Sequence, residues 1–423
     1  MLPRFAAAFL ALALLGCGSD PDDKADTASE VSNDALEADL AADSTPEEVE
    51  SCTPEMSYCN GAEAHSCVDG KWVDQTCGAK TFCNFGECWE SRLNFPSDAA
   101  HHNNIIEWWY YTGHVSDGQR NFGFELALFQ QDLEDLLGKP VPPKDRFGYM
   151  CHVALLDKDK GEHSYTQGIA TKITDWSDDP IVMHILNCHV ELSGDGNDHI
   201  VGTIPEGEEK KGLPGQWKFD LEVSPTKPVV HHGANGVIPM AEAGDSYYYS
   251  YTRLVAAGQI VTPEGEFQVE GQAWMDHQWG DFQTMHFKGW DWWSMQFEDG
   301  WEIMLFLFRD WDDVVVEKAG TLVDPDGNII PLDGLNGFEI TSLRTWASTE
   351  TDGVYPLDWD ITIEELDWDL KVRTGLDAQE MPNPAKNYWE GAVTITGTRG
   401  EVEVEGLGYV ELTGYASDMM APK

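Results

Sequence analysis

The segment Trp301-Glu-Ile-Met-Leu-Phe-Leu-Phe308 limits the possible folds more than any other part of the chain. Side chains alternate faces along a strand, and here both alternating sets are apolar, so both faces must be buried. An antiparallel protein does this with one face turned inward and the other against a second layer. A ligand-holding barrel packed on another barrel satisfies that requirement, and so does a sandwich core beneath a covering loop. Asp299-Gly300 joins this run to Trp290–Phe297 and marks a two-residue hairpin.

The rest of the chain agrees. Ile105–Val115, Asn121–Gln130, Arg146–Leu156, Gly215–Val223, Tyr247–Val255 and Glu266–Gln278 are strand-like runs between Gly, Asp or Pro breaks. Further strands are expected at Gly320–Val323, Gly337–Trp346, Trp359–Leu366, Tyr388–Gly397 and Glu401–Tyr415, and a short helix at Gln131–Leu137. Many strands, short turns and almost no helical periodicity predict an all-β protein of barrels or sandwiches.

The N-terminal region reads as export apparatus. Residues 1–17 hold Arg4, an apolar run from Phe5 to Leu15, and Leu14-Leu15-Gly16-Cys17, which matches a bacterial lipobox with Cys17 as the lipidated residue. Residues 18–50 are an acidic tether with too little apolar surface to order itself. Residues 51–90 carry Cys52, Cys59, Cys67, Cys77, Cys83 and Cys88, expected to form a small disulfide module of unknown pairing. Cys151 and Cys188 are a candidate fourth pair. The location implied is the bacterial cell envelope, with a lipid anchor as the only membrane contact. The net charge of -49, of which residues 20–50 supply only -11, argues against nucleic acid as a partner.

Chemistry is concentrated at Gly271-Gln-Ala-Trp-Met-Asp-His-Gln-Trp-Gly280 and Gly289-Trp-Asp-Trp-Trp-Ser-Met-Gln-Phe297. Alternation puts Trp274, Asp276 and Gln278 on one face and Met275, His277 and Trp279 on the other. Burial among indoles would raise the pKa of Asp276 and make it a proton donor, and the indole faces would stabilise a carbocation. Equally, Asp276 could accept hydrogen bonds and brace a corner. Glu107, ahead of Trp108 and Trp109, is either a second cavity carboxylate or a partner for Arg253 or Arg309. Adjacent histidines such as His101-His102 and His231-His232 point to opposite faces and chelate poorly, and His184 with His189 lacks a third ligand, so no metal is expected. No nucleophile elbow, phosphate loop or dinucleotide fingerprint is present.

Phe95-Pro-Ser-Asp98, Glu107-Trp-Trp-Tyr-Tyr-Thr-Gly113, Tyr248-Tyr-Ser-Tyr-Thr-Arg253, Trp274-Met-Asp-His-Gln-Trp-Gly280, Gly289-Trp-Asp-Trp292, Tyr388-Trp-Glu-Gly391 and Gly408–Tyr415 occur in the order of the AttH/CrtC family, which residues 93–417 resemble. The resemblance implies two tandem lipocalin-like antiparallel β-barrels, here residues 91–280 and 281–423, with Trp274–Gly280 near their junction. In the branch that hydrates acyclic carotenoids, a double bond is protonated and water captures the cation, without cofactor. Asp276 matches the proton donor of that branch, with His277, Tyr249 and Tyr251 as candidates to assist water. Glu107, Trp108, Trp109, Arg253, Trp274, Trp279, Trp290 and Trp292 are the candidate ligand-pocket residues. Two functions follow as expectations: a cofactor-free hydratase-like enzyme on an apolar unsaturated substrate, or a non-catalytic carrier of a hydrophobic ligand, working as a monomer in either case.

Overall fold

The computed structural model describes residues 52–417, apart from 54–55, 174, 179–180, 207–215, 241–242, 284–285, 334–336 and 383–386. The signal, Cys17 and the tether lie outside the described residues. Two large antiparallel sheets, each curled nearly into a barrel, follow a small Cys-rich module.

Both sheets close in the same way. In the first, the opening strand Ile106–Ser116 pairs on one side with Asn121–Asp132 and on the other with the closing strand Gly265–Gly280. In the second, Gly289–Phe297 pairs with Glu302–Arg309 and with the closing strand Val402–Thr413. First and last strands thus meet in the middle of each sheet, and Gly280 leads into Gly289 across a short connection.

The two-faced strand resolves as one barrel packed on another. Ile303, Leu305 and Leu307 enter the core of the second barrel, whereas Met304, Phe306 and Phe308 join an apolar layer between the two sheets. Tyr110, Ala127, Tyr248 and Trp274 enter that layer from the first sheet, whose own core holds Trp109, Tyr111, Leu126 and Met275. Gly123 allows the close approach: a Cβ there would come within 2.5 Å of the Tyr409 hydroxyl of the opposite sheet. The expected two-residue turn at Asp299-Gly300 is longer by one residue. Phe297 N–H donates to Trp301 C=O at 2.9 Å, leaving residues 298–300 as the loop with Gly300 at φ 89°, the left-handed position of a three-residue hairpin.

The hairpin Asp245–Thr262 with Gly265–Gly280 carries one bulge. Its register runs from Tyr251↔Met275 to Leu254↔Ala273, so one extra residue reverses the facing of the strand beyond it. Tyr249, Tyr251 and Leu254 therefore all enter the first core, and Arg253 is turned outward to the second barrel.

The Cys-rich module has bridges Cys52–Cys67, Cys59–Cys83 and Cys77–Cys88, and Cys151–Cys188 cross-links the first barrel. The module is docked rather than free. Fully buried Asn84 donates to Ile329 C=O (3.1 Å) and accepts from its N–H (2.6 Å) on the second barrel, and Phe82 stacks on His231 at 4.1 Å.

Candidate active site

The strand Gly265–Gly280 separates two polar clusters, one on each face. Its cross-strand register sorts them: Ser250 and Tyr110 lie opposite Asp276, whereas Tyr249 and Trp109 lie opposite His277. Cross-strand partners share a face, so Asp276 looks into the layer between the barrels and His277 into the first barrel.

On the His277 face, the ring Nε2–H donates to Glu107 Oε1 at 2.9 Å, and Nδ1 accepts from the Tyr249 hydroxyl at 3.2 Å. We assign this tautomer from the network, because burial lowers the pKa of His277 despite Glu107. His102 Nδ1–H donates to the same Glu107 oxygen at 2.7 Å, its backbone N–H donates to Oε2 at 2.8 Å, and its ring stacks on Trp279 at 4.1 Å. Burial opposes charging of His102, but Asp98 and Glu107 outweigh it and raise the pKa to about 9. Burial likewise opposes the Glu107 carboxylate, and the two histidines hold its pKa below the usual range. The result is a closed ion pair inside the first barrel. His102, Glu107 and His277 also form a metal-capable donor set, with ligand atoms within 4.8 Å of one another, as do His189, Glu191 and His199 near the surface. In the first set, Glu107 already accepts a hydrogen bond from each of the two histidines.

On the other face, Asp276 lines a cavity of about 150 Å³ between the sheets with Trp108, Tyr110, Tyr248, Trp290, Trp292 and Phe306. That volume matches cavities that admit a single aromatic ring. Asp276 Oδ1 accepts from Trp274 Nε1–H at 2.7 Å and from the Ser250 hydroxyl. Ser250 Oγ accepts in turn from His232 Nε2–H at 2.7 Å, and His232 Nδ1 accepts from the Thr321 hydroxyl of the second barrel at 2.8 Å. Burial lowers the His232 pKa to about 3, so the ring is neutral and the chain donates in one direction, towards Asp276. Burial raises the Asp276 pKa to about 7, against the hydrogen bonds from Ser250, Trp274 and Tyr248. No cation offsets it: neither Lys nor Arg lines the cavity among the described residues.

Of the residues singled out from sequence, Trp108, Asp276, Trp290 and Trp292 line the cavity, and Trp274 holds Asp276 from beside it. Glu107, Trp109, Tyr249, Tyr251, His277 and Trp279 are not brought there; they are packed inside the first barrel. Glu107 pairs with neither Arg253 nor Arg309. Arg253 reaches Glu302, a 0% exposed residue shared with Lys227, and Phe297 C=O at 2.8 Å, which makes it a clamp between the barrels. Arg309 pairs with Asp291 at 3.1 Å. Tyr248, Ser250 and His232 were missed as partners of Asp276, as were the cavity carboxylates Glu125 and Glu411.

A family profile described as AttH-like matches residues 89–415. Kievitone hydratase of Fusarium solani subsp. phaseoli is 24% identical over 206 residues, covering 46% of this chain and 56% of that protein. Dehydratase asqC of Emericella nidulans is 24% identical over 209 residues, covering 46% of this chain and 57% of that protein. The chain thus spans less than three fifths of the length of these curated relatives. A crystal structure of an AttH protein from Nitrosomonas europaea superposes with a TM-score of 0.64 at 27% identity, covering 77% of this chain and 97% of that one. Kievitone hydratase from Nectria haematococca shares the fold, with a TM-score of 0.60 at 16% identity over 77% and 94% of the two chains. With that profile spanning both barrels and every motif of the cavity, the chain belongs to the AttH-like family.

Proposed function

We propose that this protein is a hydratase-like enzyme that adds water to, or removes it from, an apolar unsaturated substrate in the cavity between its barrels. The observation that carries the reading is a buried, cation-free carboxyl at the wall of an aromatic cavity. Asp276 Oδ1 is occupied by two donors, so the proton of the neutral acid belongs on Oδ2. Transfer of that proton to one carbon of a double bond leaves a cation on the other carbon and a carboxylate on Asp276. Indole and phenol faces stabilise that cation, and water closes the addition by forming the C–O bond and giving its proton back to the Asp276 carboxylate. The reverse sequence is dehydration. No step calls for an organic cofactor. The names of two relatives, a hydratase and a dehydratase, support the same pair of directions.

The reading includes a location outside the cytoplasm, by way of lipidated Cys17, and a monomeric protein. The Leu14–Cys17 motif and four disulfides support export.

The test is to extract the purified protein, identify any co-purifying molecule by mass spectrometry, and incubate it with fresh enzyme. Gain or loss of the mass of one water, abolished by Asp276→Asn, is the expected result. Recovery of the molecule unchanged by the parent protein would instead make it a carrier.

A further inference from the structure

One end of the cavity is built from acids contributed by both barrels. Glu390 and Glu411 face each other directly across paired strands of the second sheet, and the first sheet supplies Glu125. Like-charged residues opposite each other across a sheet are unfavourable, and Glu125 and Glu390 are fully buried while Glu411 is half-buried. Tyr110 hydroxyl donates to Glu390 Oε1 at 2.6 Å, and Trp290 Nε1–H donates to Glu411 Oε2 at 2.8 Å. Tyr388 hydroxyl donates to Glu125 Oε1 at 3.5 Å, but among the described residues Glu125 Oε2 and Glu390 Oε2 have no hydrogen-bond partner, although their residues are 0% and 1% exposed. Leaving a buried acceptor unpaired is costly, and the exceptions in a folded protein call for a ligand or water. Glu125 and Glu411 both line the cavity.

We infer that this acid end is a subsite for a hydroxyl group of the ligand, so that the substrate is a ring-sized apolar molecule bearing an alcohol or phenol oxygen. The inference rests on the cavity being the ligand site, as in the proposed function, and does not depend on turnover. A hydroxyl matches because it donates and accepts at once, as a protonated carboxyl does. Burial raises the Glu125 pKa to about 8, further supported by the charge of Glu411, and raises that of Glu390 well above the ordinary range. Glu125 and Glu390 therefore keep protons at neutral pH and offer both O–H and C=O. An ammonium ligand would need these acids ionised.

Three probes separate the possibilities on the full-length protein: 4-ethylphenol, its near-isostere 4-ethyltoluene, and 4-ethylbenzylamine, titrated by calorimetry and by quenching of tryptophan fluorescence. The phenol is expected to bind at least about fivefold more tightly than the toluene, the range of one or two well-made hydrogen bonds. Glu125→Leu should remove that preference, and Glu125→Gln, which keeps shape and hydrogen bonding, should retain most of it. Asp276→Asn, which ends the proposed chemistry, should leave the preference intact, so failure of catalysis and failure of the subsite are read apart. Equal binding of phenol and toluene, absence of binding by either, tightest binding by the amine, or a preference that survives Glu125→Leu would each overturn the inference.

Discussion

Asp276 and Glu107 are equally deep carboxyls, at 3% and 0% exposure, on either side of one sheet, yet their surroundings push them in opposite directions. Glu107 has two imidazoles and a backbone N–H on its oxygens, and it is held ionised. Asp276 has only neutral donors, Ser250 and Trp274 on Oδ1 together with Tyr248, and burial prevails. Depth alone therefore does not fix the charge of a carboxyl. The charge of the partners decides, and two paired strands of one sheet use its two faces for the two outcomes.

The largest expected effect breaks the comparison at its active side. Asp276→Asn should reduce turnover by about 10³-fold or more while ligand binding survives, measured as product formation against fluorescence titration. Next is the opposite stability response of the two faces. Glu107→Gln leaves a protonated His102 with Asp98 but without Glu107 and should cost about 3 kcal/mol in chemical denaturation, the low end for a broken buried pair. Asp276→Asn should stabilise the fold at pH 8 by up to a few kcal/mol, because it removes a carboxyl whose ionisation the folded state resists.

The pH dependence follows from the same groups. The folded pKa of His102, about 9, lies above its ordinary value of 6.5. Its contribution is thus complete below about 6.5 and lost as pH rises through 9, on the order of 2–3 kcal/mol. Denaturation midpoints across that window should fall, and the fall should be smaller in His102→Gln. Activity should decline through about 7 as Asp276 loses its proton. The smallest effect sharpens the comparison: Ser250→Ala removes a donor that favours the Asp276 carboxylate. The alkaline limb of the activity profile should move upward by roughly one pH unit, with less than about tenfold change in maximal rate.

Much of the fold was legible in the sequence because burial leaves a periodic trace. Trp301–Phe308 announces two buried faces, and one barrel packed on another is what buries them. Alternation also puts Asp276 and His277 on opposite faces without further information. Its partners were not legible, because which residue stands across from Asp276 depends on register. Tyr249 and Tyr251 resemble Tyr248 in sequence, yet the pairing Ser250↔Asp276 sends them to the other side. The bulge after Tyr251, which turns Arg253 outward, is likewise invisible to a strict alternation. The acid end is assembled from residues far apart in the chain, Glu125, Glu390 and Glu411. A faint signal existed: each is a charge flanked by apolar or small residues within a strand. The docking of the Cys-rich module through Asn84 had no signal, since an Asn before Phe85-Gly86 reads simply as a turn.

The most direct test of the account is the ionisation of Asp276 itself, read from carboxyl carbon resonances or the infrared carbonyl band during a pH titration, with Asp276→Asn as the blank. A protonated carboxyl persisting at neutrality and titrating near pH 7 is the predicted result. A group already ionised at pH 5, titrating near the ordinary value of 3.8, would contradict it.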